Sequence, residues 1–329
     1  MYRAHDHRLI WRTRPGRARF CLVLLGVVLS LDAARWRVEA RPQDREQALT
    51  DEIASKISAG RIDEALAQVR QAIEQYPKSS RAYTLLGAVL GKKGLKDEAR
   101  EAFRTAIQLD PNAPQNYYNM ALLDLSENKP SDAEKSLEAY LRLDSSNAQV
   151  HLLLGRVYFN RKQSIPAIEQ FKKALALRPN LPLGHYHLGY AYRSQANLSA
   201  ALEEFRKEIE LTPGFYDSYW LAGDLELLQG NLDAAEQLFE KGIGLKSDSY
   251  QARYGLARVF LARKQYPQAE NELKKVLDKN PDLVKAHFTL ARVYQQMGNK
   301  DEAAREFKIV AGLQARQRVS GAGMAEEEK

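Results

Sequence analysis

Apolar and polar residues along this chain recur with a period that predicts pairs of amphipathic helices. From residue 46 to residue 317, most of the consecutive 34-residue segments carry apolar or small residues at positions 7, 8 and 11 and again at positions 20, 24 and 27. These spacings place the apolar side chains on one face of each of two helices. We therefore predict an all-α fold of eight units, numbered one to eight, each with a first and a second helix.

A few positions of the 34-residue unit restrict how its two helices pack. Alanine occupies position 20 in all eight units, namely Ala65, Ala99, Ala133, Ala167, Ala201, Ala235, Ala269 and Ala303. Position 8 is Gly or Ala in units two to eight, and position 24 is Phe, Leu or Val. A small residue lets two helices approach closely, and a large one fills the space beside them. Proline at position 32 of five units ends the second helix, because it cannot donate the next backbone hydrogen bond.

This pattern resembles the tetratricopeptide repeat family. The fourth unit carries the family's hallmark residues, which are Leu154, Gly155, Tyr158, Ala167, Phe171, Ala174 and Pro179. The resemblance covers eight units of 34 residues, or 272 of the 329 residues. It implies a right-handed superhelical solenoid of antiparallel helix pairs, in which the first helices line a concave groove that binds a peptide or a partner protein.

The two ends of the array depart from the repeat. Unit one has Glu52, Ile53 and Lys56 where a leucine, a small residue and a tyrosine are expected, so we interpret it as a solubilising terminal cap. Residues 41–45 are predicted to be a short linker before the array. Residues 318–329 are predicted to be a flexible polar tail after it.

The first 40 residues have the organisation of an export signal. A basic stretch ends at Arg19, an apolar run of twelve residues follows at 20–31, and a short polar segment with small residues comes next. This order is typical of a secretory signal peptide, whereas a membrane-spanning helix needs roughly 20 apolar residues. We predict cleavage after Ala40, with Ala34 as a second candidate, and an extracytoplasmic chain that is periplasmic or secreted. The alternative is an uncleaved segment that anchors the chain to the membrane.

This N-terminal region also contains the chain's only cysteine and most of its net positive charge. Cys21 lies at the start of the apolar run, so the mature chain is predicted to fold without disulfides. Residues 1–45 hold ten arginines and four acidic residues, a balance of +6 out of a net charge of +7. The remaining +1 gives the array no electrostatic footprint for a phosphate backbone, so no nucleic-acid partner is predicted.

Candidate binding residues come from the positions that line the groove in tetratricopeptide repeat proteins, which are positions 2, 5, 9 and 12 of the first helices. The candidates are Tyr118, Arg156, Tyr186, Tyr190, Arg193, Trp220, Asp224, Tyr254, Arg258, Phe288 and Arg292. Arginine beside aromatic rings suits carboxylates, acidic side chains or the backbone carbonyls of an extended peptide. Trp220 is predicted to be an exposed anchor. The alternatives are that the aromatics only follow the family pattern and that the arginines pair with acids on neighbouring helices.

Other binding modes and chemistries find no support in the residues. One subfamily binds chaperone C-termini through a lysine at position 5, and no unit here has one. Three histidines, His151, His185 and His287, share position 4, which is a packing position and not a metal cluster. Because no catalytic constellation, cofactor motif or metal site is found, we predict a non-enzymatic interaction scaffold. The alternatives are a membrane-tethered assembly factor and the recognition subunit of a separate transferase.

Two acidic residues occupy a position that is usually apolar or tyrosine. Asp124 and Glu226 both stand at position 11, in units three and six. Buried carboxylates are costly unless they are paired. We predict cationic partners in the following unit. The candidates are Arg156 or Arg161 for Asp124, and Arg258 or Arg263 for Glu226, with the position-14 arginines better placed.

Overall fold

The computed structural model describes residues 41–327, with side chains for residue 41 and residues 43–318. The predicted signal peptide, its cleavage sites and Cys21 therefore lie outside the described residues. Within the described range the chain forms sixteen helices and no strand. Among these residues, no helix is both long enough and apolar enough to cross a membrane.

The helices follow one another in antiparallel pairs. Their bounds are α1 (Pro42–Ser58), α2 (Ile62–Gln75), α3 (Ser80–Lys92), α4 (Lys96–Leu109), α5 (Pro114–Ser126), α6 (Pro130–Leu143), α7 (Ala148–Asn160), α8 (Ser164–Leu177), α9 (Gly184–Ser194), α10 (Leu198–Leu211), α11 (Tyr216–Leu228), α12 (Leu232–Leu245), α13 (Tyr250–Ala262), α14 (Tyr266–Lys279), α15 (Val284–Met297) and α16 (Lys300–Glu327). All eight second helices begin at position 17 of their unit, so the sequence period is confirmed to the residue.

Both ends of the array differ from the predicted boundaries. The predicted linker mostly belongs to α1, which begins at Pro42 because proline is well suited to the first turn of a helix and Asp44 adds an acid there. The predicted tail begins as part of α16, which continues to Glu327. Unit eight has Ala315 at position 32, where other units have a helix-ending proline or serine, and alanine favours continuation.

The chain divides into two compact units, one that ends at Pro77 and one that begins at Lys78. In the first, α1 and α2 pack against each other, and Glu52 forms an ion pair with Lys56 at 3.0 Å. In the second, each second helix contacts its own first helix, and all but the last also contact the first helix of the next unit. From unit three to unit eight the buried apolar clusters follow one another, because neighbouring pairs supply apolar side chains to the same clusters.

Close packing explains the small residues at position 8. A Cβ atom added to Gly155 would lie 2.5 Å from Cε1 of Phe171, which is the position-24 residue of the same unit. Gly87 has the same relation to Phe103, also at 2.5 Å. In these two units a side chain at position 8 would therefore displace the aromatic ring that fills the core of the unit.

In each of units three to eight, the side chain at position 4 forms a hydrogen bond with the turn that precedes the unit. The residues are Tyr117, His151, His185, Tyr219, Arg253 and His287, whose side chains contact the carbonyl oxygens of Pro111, Ser145, Pro179, Pro213, Ser247 and Pro281 at 2.7–3.2 Å. The histidines are thus structural residues of the inter-unit turn. His185 also meets Glu204 at 2.5 Å. Although burial acts to raise it, hydrogen bonds from His185 and Lys207 lower the pKa of Glu204.

The two acids at position 11 are buried and paired, but with the preceding unit. Asp124 accepts a hydrogen bond from Arg100 at 2.6 Å, and Glu226 accepts one from Arg206. The predicted partners in the following unit were wrong, because position 11 faces the second helix of the unit before it. Arg161 and Arg263 pair with other acids on the preceding second helices, which are Glu134, Asp233 and Glu236.

Candidate functional site

The first helices of units four to eight form one continuous surface, which we call the first-helix surface. It comprises the side chains at positions 2, 5, 9 and 12 of α7, α9, α11, α13 and α15. Backbones of α7 and α9, of α11 and α13, and of α13 and α15 approach each other directly. Ten of the eleven candidate residues lie on this surface. Tyr118 stands apart in unit three, where its ring meets Tyr140 edge to face at 6.2 Å.

A shared carboxylate organises the middle of this surface. Asp224 on α11 accepts a hydrogen bond from Arg193 on α9 at 3.1 Å and another from Arg258 on α13 at 2.6 Å. These bonds join units five, six and seven through one side chain that is 18% exposed. Arg193 and Arg258 therefore pair with an acid on a neighbouring helix, which is the alternative to ligand binding that the sequence left open.

Aromatic rings support the cations around Asp224. The guanidinium of Arg193 lies 5.9 Å from the ring centroid of Trp220, and that of Arg258 lies 5.9 Å from the centroid of Tyr254. Lys285 places its ammonium 4.8 Å from the centroid of Tyr254. Such contacts are attractive because the face of an aromatic ring carries negative charge. They also hold the charged groups in fixed positions on the surface.

Lys285 belongs to the same cluster, although it is not among the residues predicted from the sequence. It stands at position 2 of unit eight, a groove-lining position, so the family pattern contained the signal. Partial burial lowers the pKa of Lys285, and Arg258 and Arg193 lower it further, while Asp224 acts in the opposite direction. Among the described residues, Lys285 has no ion-pair partner.

The cluster carries more positive than negative charge. Arg193, Arg258 and Lys285 surround the single carboxylate of Asp224. Arg292 is exposed and makes no ion pair within residues 41–318. With Tyr254, Arg258 and Phe288, it lines an open cleft of about 530 Å³. The surface therefore suits an anionic group of a ligand, which could contact several cations at once.

Trp220 is not the exposed anchor that the sequence suggested. Its indole N–H donates to Asp217 at 2.9 Å, and its ring packs against the apolar clusters on both sides of α11. Removing it would disturb the packing of two units as well as the surface. Phe288 is the more accessible aromatic, since 46% of it is exposed.

A second cleft lies at the unit-four end of the first-helix surface, and we call it the aromatic cleft. It has a volume of about 210 Å³ and is lined by Arg156, Phe159, Asn160, Phe171, Tyr186, His187 and Tyr190. Burial is the main cause of a rise in the pKa of Tyr186 to about 12, and burial together with Arg156 lowers the pKa of His187 to about 4. Both groups are thus uncharged near neutral pH.

Comparison with protein families identifies the repeat. One tetratricopeptide repeat model matches residues 226–282 and 260–320, and another matches 166–214 and 186–252. A third, described as the cytochrome c-type biogenesis protein H TPR domain, matches residues 34–181. The chain is a tetratricopeptide repeat protein. Such repeats are generally non-catalytic, and their presence supports a role for this tetratricopeptide repeat chain as a scaffold for protein–protein interaction.

Solved structures with low sequence identity share the tetratricopeptide fold. The C-terminal part of a repeat protein from Cytophaga hutchinsonii matches with a TM-score of 0.61 and 18% identity over 73% of this chain and 99% of that one. A chain of the APC/C hetero-tetramer Cut9–Hcn1 gives 0.54 and 18% over 81% and 52%, respectively. YrrB, described as having an unusual peptide-binding site, gives 0.51 and 23% over 56% and 95%. No curated protein sequence matches the chain.

Proposed function

We propose that the protein binds an extended acidic segment of a partner protein along its first-helix surface. The observation that carries this proposal is the excess of cations around Asp224. Arg193 and Arg258 already share that carboxylate, whereas Lys285 and Arg292 have no carboxylate partner among the described residues. An incoming acidic side chain would therefore gain charge-assisted hydrogen bonds without first breaking an ion pair of either residue.

The aromatic rings add an apolar contribution to this site. Tyr254 and Phe288 line the same cleft as Arg258 and Arg292, so an extended peptide would cover ring faces and meet cations together. Aromatic and arginine side chains dominate the energy of many protein interfaces. A larger cleft of about 680 Å³ lies beside α12, but its charged side chains, Glu240 and Lys241, balance each other. The charge complementarity therefore favours the first-helix surface.

Reversing the charge of Lys285 provides a direct test. We expect Lys285→Glu to weaken binding of a fluorescently labelled hexaglutamate peptide at least tenfold, because the new carboxylate faces the ligand's own acids. The array should remain folded, since no ion pair of Lys285 is lost. Fluorescence anisotropy at low and at moderate salt would measure the affinity, which we expect to fall as salt rises.

The matched control is Lys173→Glu, which makes the same change at an exposed position on the second helix α8. It should leave the affinity for hexaglutamate within about twofold of the wild type. A hexalysine peptide of the same length controls for nonspecific association. Equal binding of hexaglutamate to the wild type and to Lys285→Glu, or preference for hexalysine, would contradict the proposal.

We also propose that the mature protein acts outside the cytoplasm. Support comes from the basic and apolar organisation of residues 1–40 and from the match of residues 34–181 to the cytochrome c-type biogenesis domain, which favours an extracytoplasmic or membrane-associated location. The same match favours a membrane-tethered assembly factor, held by residues 20–31, as the second candidate.

N-terminal sequencing of the protein from fractionated cells separates these two candidates. An exported, processed chain is expected to begin at Arg41 and to be recovered without membranes. A chain of full length in the membrane fraction would instead support the tethered assembly factor. Recovery of the full-length chain from the cytoplasm would contradict both.

A further inference from the structure

We infer that the aromatic cleft holds one aromatic side chain of the partner, with a neighbouring acidic residue of the partner on Arg156. This inference rests on the proposed function, because it assigns a second, chemically different contact to the same acidic segment. It predicts that the partner's sequence places an aromatic residue beside an acid.

The walls of the aromatic cleft are suited to an aromatic side chain. Phe159 meets Tyr190 edge to face with ring centroids 5.6 Å apart, and Tyr186 lies 5.9 Å from Tyr190 in a tilted arrangement. His187 stacks on Phe171 at 5.7 Å. An added ring would make further edge and face contacts with these rings, and such contacts contribute binding free energy beyond the burial of apolar area.

The size of the cleft limits its occupant to a single side chain. Its volume of about 210 Å³ is below the range of about 300–1,000 Å³ that is typical of small-molecule sites. A helix or a cofactor would not fit within it. One large side chain that projects from an extended peptide is the occupant that matches this volume.

Several polar groups around the cleft have no hydrogen-bond partner among the described residues. The Tyr186 and Tyr190 hydroxyls, the His187 ring nitrogens and the Arg156 guanidinium make no hydrogen bond with any side chain or backbone group in the described part of the chain. His187 and Tyr186 are neutral near pH 7, so Arg156 supplies the only charge of the lining. An acid beside the aromatic residue would compensate that charge.

The test compares two acidic peptides, of which only one carries an aromatic residue. The probe is acetyl-Glu-Glu-(4-fluoro-Phe)-Glu-Glu-amide, observed by fluorine NMR, and the reference is the fluorescently labelled hexaglutamate peptide. Asn160 is exposed at the rim of the cleft, so Asn160→Phe would fill the cleft without changing the buried core. We expect this variant to bind the fluorinated probe at least tenfold more weakly and hexaglutamate within about twofold of the wild type.

A second variant tests the charge of the cleft. Arg156→Gln should weaken binding of the fluorinated probe about fivefold. If the two glutamates that flank the aromatic residue of the probe are replaced by glutamine, the variant and the wild type should bind it equally. Lys173→Phe, which adds the same ring at an exposed position on α8, should change nothing. Melting curves of each variant confirm that the array is folded.

The outcomes separate this inference from the proposed function. Lys285→Glu should weaken both peptides, whereas Asn160→Phe should weaken only the fluorinated one. Undiminished binding of the fluorinated probe to Asn160→Phe, or equal losses for both peptides, would overturn the aromatic subsite and leave the acidic site intact. Failure of hexaglutamate to bind the wild type would overturn the proposed function itself.

Discussion

Arg100→Leu is expected to destabilise the protein by about 3 kcal/mol, because it leaves a buried carboxylate without its cation. Asp124 is only 1% exposed, and the guanidinium of Arg100 reaches it at 2.6 Å and Glu127 at 2.7 Å. Urea unfolding followed by circular dichroism would measure the loss. Arg104→Leu is the matched control on the same helix, since among the described residues Arg104 pairs only with exposed Glu101, and it should cost less than about 0.5 kcal/mol.

The loss caused by Arg100→Leu should depend on pH with a defined sign. Burial raises the pKa of Asp124 even in the presence of Arg100, whose hydrogen bond opposes the rise. For a carboxyl with a raised pKa in the folded state, stability is greatest below the unfolded pKa and is lost as pH rises through the folded pKa. Without Arg100 the pKa should rise further, so the variant should lose less stability at pH 5 than at pH 8.

A double substitution isolates the role of the pair. Arg100→Leu combined with Asp124→Leu replaces the buried ions by apolar groups. This double variant should recover most of the lost stability, because replacing both members of a buried ion pair by apolar residues often costs little. If the double variant were as unstable as Arg100→Leu, the loss would come from packing and not from the unpaired charge.

Glu208→Leu is expected to cost about 3 kcal/mol, because it removes the acceptor that completes the start of α9. Glu208 is fully buried, and its carboxylate accepts hydrogen bonds from the backbone N–H groups of Leu183 and Tyr186 at 3.3 and 3.2 Å and from Thr212 at 2.9 Å. Leucine would leave these partly buried donors without their acceptor. Chemical denaturation would measure the effect.

Hydrogen exchange would localise the effect of Glu208→Leu. The amides of residues 183–187 should exchange faster in the variant, whereas those of α5 should be unchanged. Glu210→Leu on the same helix is exposed and should have little effect. Equal exchange at the start of α9 in the variant and the wild type would show that the carboxylate does not hold this turn.

Glu208 also links the fold to the aromatic cleft. The residue before α9, Leu183, has a left-handed φ of 62°, and the helix begins at Gly184, two positions later than the first helices of most units. A non-glycine residue in this conformation is strained and persists only when its surroundings hold it. The carboxylate fixes the first turn and thereby the ring of Tyr186, which lines the cleft.

The sequence by itself determined the period, the helices and the core of this protein. The 34-residue spacing predicted two helices in each of eight units, because apolar periodicity and proline positions act locally along the chain, and all eight second helices begin at the same position of their unit. The period also assigned ten of the eleven candidate residues to matching positions of units four to eight, because a residue at a fixed position of a regular unit repeats its orientation in the next unit.

Only the tertiary structure decided which of those residues meet. Asp124 pairs with Arg100 and not with Arg156 or Arg161, since the direction in which position 11 faces depends on how neighbouring units stack. Glu208 at position 27 stands where other units have a small or apolar residue, except for Tyr140. The guanidinium of Arg100 donates to Asp124, and the backbone N–H groups of Leu183 and Tyr186 donate to Glu208, in each case from another part of the fold. Such contacts depend on packing distances that a one-dimensional period does not contain.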